Sequence, residues 1–297
     1  MKSTLSLVLF FLQVIPICYG QDSDLIAPDA ELNLVADDFI FTEGPAVDQN
    51  GDVYFTDQPN NKILKWDANT NEVTTYMENS GRSNGLYFDN EGHLLACADE
   101  KFELWQIDKN KKVTVLIDEV EGKKLNGPND LWVDQKGGIY FTDPYYQRPY
   151  WKRTEKEIEI QKVYYLSPDK KSIQVMADDL IQPNGIIGSA DGKTLFVADI
   201  GDKKTYSYTV NEDGKLTNKT LFTDMGSDGM TLDNKGNLYL TGNGVTVFNS
   251  SGEKVEHIVI PQKWTANVTF GGEDQKTLFI TAMNSVYTLE MKVNGIR

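Results

Sequence analysis

The stretch Glu43-Gly-Pro-Ala-Val-Asp-Gln-Asn-Gly-Asp-Val-Tyr-Phe-Thr-Asp57 decides the fold, because its pattern returns as Asn129-Asp-Leu-Trp-Val-Asp-Gln-Lys-Gly-Gly-Ile-Tyr-Phe-Thr-Asp143. Each copy has a polar residue, a short strand, a turn of Asp, Asn and Gly, and a second apolar strand. Further copies begin at Asn84, Asn184, Asp228 and Asn267, so the six starts are 41, 45, 55, 44 and 39 residues apart. A four-stranded propeller blade takes about 40–50 residues. The sequence therefore predicts an all-β, six-bladed β-propeller with four-stranded blades around a central channel.

The two ends of the chain supply the remaining strands. The segments before Glu43 and after Asn267 together have the length of one more blade interval. We expect the N-terminal segment to pair with the last blade, because this closes the ring and removes open strand edges. Residues 21–297 are predicted to form a single propeller domain.

Residues 1–20 have a different character from the rest. Lys2 is the only charged residue, Leu5 to Ile17 is apolar, and the segment ends at Gly20. This is typical of a secretory signal peptide, and the apolar run is short for a transmembrane span. An uncleaved anchor is the alternative. We expect a secreted or periplasmic protein that has no membrane association after cleavage. Cleavage leaves Cys97 as the one cysteine, predicted to be a buried strand thiol.

The composition narrows the choice of partners. The chain has 44 acidic and 29 basic side chains, a formal charge of −15, and 40% hydrophobic residues. It is therefore a folded protein. We do not expect nucleic acid or an anionic membrane to bind this protein, because both require a positively charged surface patch. We expect a small-molecule substrate and a monomer or a small homo-oligomer.

The first residues of the repeats predict a metal site. Equivalent positions at the start of six innermost strands form a ring around one mouth of the channel. The ring contains Glu43, Asn84, Asn129, Asn184, Asp228 and Asn267, all of which offer oxygen. Oxygen ligands suit a hard cation, and Ca²⁺ is favoured, with Mg²⁺, Mn²⁺ or Zn²⁺ possible. Polar residues at strand starts also cap turns, but two converging carboxylates without a cation would repel each other.

The longest interval between repeats contains an insertion that begins Pro144-Tyr-Tyr-Gln-Arg-Pro-Tyr-Trp151. It follows a strand end on the same side as the polar ring. One interpretation is a lid or substrate wall, in which Tyr145 and Tyr146 contact the substrate. The other is an ordinary packed loop.

Several segments, taken in order, resemble the regucalcin/gluconolactonase family of the senescence-marker-protein type. They are Glu43-Gly-Pro, Asn126-Gly-Pro-Asn129-Asp130, Asn184-Gly, Asp228-Gly-Met and Phe270-Gly-Gly. The resemblance covers essentially the whole mature chain and is greatest to the bacterial gluconolactonase branch. The animal branch has a substrate-holding basic residue where this chain has Gly127, so the substrate does not carry over directly.

The resemblance implies a six-bladed propeller with one divalent cation in the channel and lactone hydrolysis as the chemistry. It implies metal ligands at Glu43, Asn129, Asn184 and Asp228. Asn84, Asn129 and Asn267 then face the substrate, and Asp228 acts as general base on a water or as nucleophile. Asp130, Asp143 and Asp199 are interpreted either as outer groups of the site or as turn residues.

The expected function is that of an exported, calcium-dependent lactonase acting on a sugar-derived lactone such as glucono-1,5-lactone. Two alternatives stay open. One is a hydrolase of the paraoxonase or diisopropylfluorophosphatase kind, acting on non-sugar lactones or phosphoesters. The other is a non-catalytic binding propeller that calcium stabilises, because a fold does not determine a function.

Overall fold

The computed structural model describes residues 23–296. The predicted signal peptide, with Cys18, lies outside the described residues. The described part contains strands and no helix, so it has no helix long and apolar enough to cross a membrane. The predicted all-β class is confirmed.

The first half of the chain contributes β1 (Asn33–Ala36), β2 (Thr42–Val47), β3 (Val53–Asp57), β4 (Lys62–Trp66), β5 (Val73–Glu78), β6 (Ser83–Phe88), β7 (Leu94–Ala98), β8 (Glu103–Ile107), β9 (Val113–Ile117), β10 (Glu119–Val120), β11 (Lys123–Lys124), β12 (Leu131–Val133) and β13 (Ile139–Asp143). The second half contributes β14 (Lys162–Leu166), β15 (Ile173–Ala177), β16 (Pro183–Gly188), β17 (Thr194–Asp199), β18 (Lys204–Val210), β19 (Leu216–Thr223), β20 (Met230–Leu232), β21 (Leu238–Gly242), β22 (Gly244–Phe248), β23 (Lys254–Ile258), β24 (Asn267–Gly271), β25 (Thr277–Ala282) and β26 (Ser285–Glu290).

Six four-stranded antiparallel sheets form the blades of the propeller. Blades 1 to 5 are β2–β5, β6–β9, β12–β15, β16–β19 and β20–β23, and β10 and β11 form a separate hairpin. In each blade the first strand contacts the first strands of its neighbours, as β2 does with β6 and β24. The six-bladed arrangement predicted from the repeat spacing is confirmed.

The sixth blade joins the two ends of the chain. Its strand order is β24, β25, β26 and then β1. β1 pairs antiparallel with β26, and Asn33 lies opposite Thr288. A further bridge joins Ile26 to Met291. The prediction that the N-terminal segment completes the last blade is confirmed.

The hydrophobic core lies between the blades. Every residue of β7 is buried, including the free thiol of Cys97. Aromatic rings link the first and last blades, since Phe279 lies 5.4 Å from both Phe55 and Trp66 between ring centroids. Outermost strands such as β9 have exposed positions instead. The apolar inner strands therefore position the polar residues at their starts.

Candidate active site

The six polar residues that open the repeats lie at one end of the innermost strands. Five of them are at most 5% exposed: Glu43, Asn84, Asn129, Asn184 and Asn267. Asp228 retains partial exposure. The ring predicted from the repeats is thus a group of buried polar side chains at the channel.

The glycine that follows the polar residue in four copies allows the blades to approach one another. A Cβ on Gly85 would lie 2.5 Å from the Asn129 carbonyl oxygen. A Cβ on Gly229 would lie 1.9 Å from Asn267 Cγ. Real side chains do not tolerate such distances, so glycine is required for the polar residues of neighbouring blades to meet.

Glu43 and Asn267 join the first blade to the last. The Glu43 Oε2 atom accepts a hydrogen bond from the Gly44 amide at 2.9 Å and one from Asn267 Nδ2 at 3.4 Å. Asn267 Oδ1 in turn accepts from the Val268 amide at 2.8 Å. The Glu43 carboxylate is therefore held in one orientation inside the channel.

Asp228 is fixed by two donors from other segments. Trp264 Nε1 donates to Asp228 Oδ2 at 2.6 Å, and Asn184 Nδ2 donates to Oδ1 at 2.9 Å. Trp264 precedes β24 and belongs to none of the repeats, so repeat analysis missed it. Both donors favour the ionised carboxylate.

Asn184 also reaches the insertion. Its Nδ2 donates to the Tyr146 hydroxyl at 2.8 Å as well as to Asp228. Its carbonyl oxygen Oδ1 is buried and has no hydrogen-bond partner within residues 23–296. An unpaired buried acceptor costs about 1–3 kcal/mol. Other buried polar atoms of the described chain also lack partners, but this one lies beside the Asp228 carboxylate and is therefore available to a ligand of the site.

The carboxylates of the channel have raised pKa values. Burial away from bulk water raises the pKa of Asp228 to about 6, although the Trp264 and Asn184 hydrogen bonds and the Arg148 charge oppose the rise. Burial, and then repulsion from Asp228, raise the pKa of Glu43 well above its ordinary value. A cation between these groups would remove the repulsion.

Asp130 adds a third carboxylate to the channel. Its Oδ1 accepts from the Leu131 amide at 2.9 Å, and Asn267 of the opposite blade lies near enough to lower its pKa. Burial raises the pKa of Asp130 to about 7 despite these two opposing effects. Beside it, the Asn129 carbonyl oxygen accepts from the Gly85 amide at 2.7 Å.

Asp143 and Asp199, predicted either as outer groups of the site or as turn residues, accept hydrogen bonds from loop amides. Asp143 accepts from the amides of Asn126 and Gly127 at 2.9 and 2.8 Å. Asp199 does the same for the loop before β16. Both therefore have a turn-residue role.

The insertion forms one wall of the site through contacts to Asp99. Arg148 Nε donates to Asp99 Oδ2 at 3.1 Å, the Tyr150 hydroxyl donates to the same oxygen, and Trp151 Nε1 donates to the Asp99 carbonyl oxygen at 2.9 Å. A Cβ at Gly127 would lie 2.8 Å from Asp99 Oδ1, so no side chain fits there. Arg148 and Asp99 were not predicted as site residues, because nothing local marks them.

The two tyrosines predicted to contact substrate differ in placement. Tyr146 lies against Asn184, as described. The Tyr145 hydroxyl bonds Gln147 instead, and its ring lies 5.7 Å from the Trp151 ring. Tyr145 therefore packs within the insertion.

The donor set fits a hard cation. Within residues 23–296, no three His, Cys, Asp or Glu side chains form a metal-binding cluster. The channel mouth instead combines the Glu43 and Asp228 carboxylates with amides, and it leaves the Asn184 carbonyl oxygen unpaired. Mixed carboxylate and amide oxygens suit Ca²⁺ or Mg²⁺.

Comparison with known proteins identifies the family. Residues 41–284 match the family model described as the SMP-30/Gluconolactonase/LRE-like region. The chain belongs to this family. The resemblance predicted from the repeat segments is thereby confirmed.

Two curated relatives align with most of the length of this chain. A gluconolactonase of Zymomonas mobilis is 29% identical over 295 aligned positions, covering 89% of this chain and 82% of the relative. A diisopropyl-fluorophosphatase of Loligo vulgaris is 27% identical over 292 positions, covering 88% of this chain and 92% of the relative. Both named activities are hydrolytic, in agreement with the expected enzyme class.

Solved structures show the same architecture. A gluconolactonase of Xanthomonas campestris superposes with a TM-score of 0.84 at 29% identity, covering 93% of this chain and 97% of that one. A calcium-binding regucalcin of Agrobacterium tumefaciens superposes with a TM-score of 0.75 at 18% identity, covering 89% and 94%. The second likeness shows the fold alone.

Proposed function

We propose that this protein is a divalent-cation-dependent hydrolase that opens a lactone ring, and that the cation is Ca²⁺. The observation that carries the proposal is the unpaired, buried Oδ1 of Asn184 beside the carboxylate of Asp228. The gluconolactonase relatives support the lactone chemistry. A sugar-derived lactone such as glucono-1,5-lactone is the proposed substrate.

The proposed cation ligands are Glu43, Asn129, Asn184 and Asp228. A bound cation supplies Lewis-acid polarisation of the ester carbonyl. Hydrogen bonds orient two of these ligands: the Gly44 amide donates to Glu43, and Trp264 Nε1 donates to Asp228. Because Asn184 Nδ2 is engaged by Asp228 and Tyr146, its Oδ1 is the atom left for a ligand.

Asp228 is the proposed catalytic residue. As general base it takes a proton from the attacking water; acting as nucleophile instead, it attacks the carbonyl carbon itself. Burial raises its pKa to about 6 in the cation-free protein, and a bound cation would lower this value, so Asp228 is ionised and able to accept a proton at neutral pH. Asn84, Asn129, Asn267 and Tyr146 are proposed to contact the substrate, with Tyr145 supporting the wall.

The test is acid release from a panel of lactones by the protein, measured with calcium and with chelator. The panel contains glucono-1,5-lactone, an aliphatic lactone and a phosphotriester. Calcium-dependent hydrolysis of the aldonolactone supports the proposal. Full activity in a sample shown to be metal-free by elemental analysis contradicts the metal mechanism. Calcium binding without hydrolysis of any panel member favours a binding propeller.

The diisopropyl-fluorophosphatase relative of Loligo vulgaris supports a second candidate, a phosphoester or non-sugar lactone hydrolase using the same site. Preferential hydrolysis of the phosphotriester in the panel would favour it.

Export is a separate proposal. Residues 1–20 are proposed to direct secretion, so fractionation of cells producing the full chain should recover it, shortened, outside the cytoplasm. Recovery of full-length cytoplasmic protein would contradict export.

A further inference from the structure

Arg148 brings a positive charge to an acidic channel mouth. The carboxylates of Glu43, Asp130 and Asp228 influence one another electrostatically there. The Arg148 charge acts on Asp228 and on the Tyr146 hydroxyl. The insertion therefore places a cation within electrostatic reach of the proposed catalytic carboxylate.

The position of Arg148 is fixed from two sides. Its Nε donates to Asp99, a residue only 2% exposed. Its guanidinium carbon lies 5.4 Å from the centroid of the Tyr146 ring, and the Tyr146 hydroxyl accepts from Asn184. Arg148 thus connects to the proposed cation ligands through one aromatic ring.

The guanidinium retains free donors. Its hydrogen bond within the described chain uses Nε, and the side chain is 22% exposed. Neither Nη group donates to another residue in the described part of the chain, so both keep donors for a ligand. Such an edge offers paired N–H groups that match the two oxygens of a carboxylate.

Lactone hydrolysis generates the group that this edge recognises. Water oxygen bonds to the carbonyl carbon, the ring C–O bond breaks, and the ring oxygen leaves as an alcohol after taking a proton. The new carboxylic acid loses its proton to solvent at neutral pH and carries one negative charge. The negative charges of Glu43 and Asp228 are offset there by the proposed cation, and the Arg148 guanidinium adds a second positive charge for this anion.

We propose that Arg148 is a specificity-determining residue that binds the carboxylate formed as the lactone ring opens, so that the site recognises a hydroxy acid. This inference rests on the proposed lactone hydrolysis. Asp99 and Tyr146 act as positioning residues for the guanidinium. The chemical class recognised is a polyhydroxylated monocarboxylate.

The experiment measures binding of two probes to the calcium-loaded protein by calorimetry. Gluconate carries the carboxylate, and glucitol is its neutral counterpart. The wild-type protein should bind gluconate more tightly than glucitol. Arg148→Gln should weaken gluconate binding by about 10- to 100-fold, as expected for loss of a hydrogen-bonded ion pair. It should change glucitol binding by less than about 2-fold, and Arg148→Lys should be intermediate because it keeps the charge.

Arg82→Gln is the matched control. The Arg82 guanidinium carbon lies 4.5 Å from the centroid of the Tyr150 ring in the same insertion. Its Nε lies 3.7 Å from Glu100 Oε1, with which it forms an ion pair. Arg82→Gln should leave the preference for gluconate intact. Unchanged gluconate binding in Arg148→Gln would overturn the inference, as would equal weakening of both probes or an equal loss in Arg82→Gln. A wild type without preference for gluconate overturns it as well.

Failure of the proposed function is read separately, from wild-type acid release on the lactone panel. An active wild type whose Arg148→Gln variant keeps its gluconate affinity refutes the role of Arg148 alone. A wild type that is inactive toward every lactone refutes the proposed function.

Discussion

The Asp99 carboxylate, one residue beyond the end of β7, accepts the Nε–H of Arg148 at 3.1 Å, whereas the aspartates that end β3, β13 and β17 accept from backbone amides. Asp57, the last residue of β3, accepts from the amides of Ile40 and Phe41. In blade 2 the aspartate that follows the second strand therefore anchors an insertion from blade 3, which forms the wall of the candidate site.

Replacing Asp99 tests this anchoring. Asp99→Asn removes the charge that faces Arg148 and Tyr150 while keeping the side-chain shape. We expect the KM for the lactone to rise by about 10-fold, since breaking a buried charged hydrogen bond frees the wall. Asp57→Asn is the control and should lower the melting temperature without changing KM. Equal KM values for the wild type and Asp99→Asn would contradict the anchoring role.

Asn184→Ala should abolish the response to calcium. The change removes the unpaired Oδ1 and the donor to Asp228 together. Calcium at 100 times its dissociation constant should stabilise the wild-type fold by about 2.7 kcal/mol, because it binds only the folded protein. Thermal unfolding with and without calcium measures this difference. Asn218→Ala, on the exposed face of β19, should retain the full shift. A normal shift in Asn184→Ala would remove Asn184 from the ligand set.

Asp228→Asn removes the proposed proton acceptor, and Trp264→Phe removes a hydrogen-bond donor that orients it. Comparing the two variants distinguishes these roles. Asp228→Asn should lower kcat by about 100-fold or more, as loss of a general base does. Trp264→Phe removes a single hydrogen bond to the carboxylate and should lower kcat by roughly 10-fold. Steady-state kinetics with saturating calcium measures both. If Asp228→Asn retains near-native turnover, Asp228 is not the base.

The calcium-free protein should lose stability as pH rises. The pKa values of Asp228, Asp130 and Asp143 are about 6, 7 and 7 in the folded chain, raised chiefly by burial, against about 3.9 when unfolded. Raised carboxyl pKa values stabilise the fold at low pH, and this contribution disappears as pH rises through the folded values. The melting temperature in chelator should therefore fall between pH 5 and about 7.5. The shift produced by calcium should grow over the same range, because the ligands bind as anions. A flat or rising melting temperature in chelator would contradict the assignment.

Gly229→Ala should destabilise the ring through a single contact. The new Cβ would overlap the Asn267 side chain, with a cost of about 1–3 kcal/mol. Combining it with Asn267→Ala should recover most of the stability that Gly229→Ala alone removes, because the overlapping atoms are gone. Urea unfolding of the wild type, both single variants and the double variant measures the coupling. Strictly additive effects would show that the two residues do not meet.

The repeats allowed the blades and the polar ring to be predicted, because both follow from local turn chemistry repeated at one spacing. Glu43 and Asn267 are far apart in the sequence, yet equivalent positions in the first and last blades had to lie side by side. Trp264 and Arg148 were not predictable, since each comes from a connecting segment whose path depends on tertiary packing. The difference between Tyr145 and Tyr146 was equally hidden, because only the path of the insertion decides which ring faces Asn184.

The pairing of β1 with β26 also affects the order of events during folding. Asn33 and Thr288 are partners although 255 positions separate them, so bringing them together carries the entropy loss of closing nearly the whole chain. Such non-local pairing slows folding. Asn267 of the last blade donates to the proposed ligand Glu43 of the first blade, so a chain still growing on the ribosome lacks one of the contacts that hold the cation ligands. Calcium would then select the finished ring over every earlier intermediate and would act on the last step of folding.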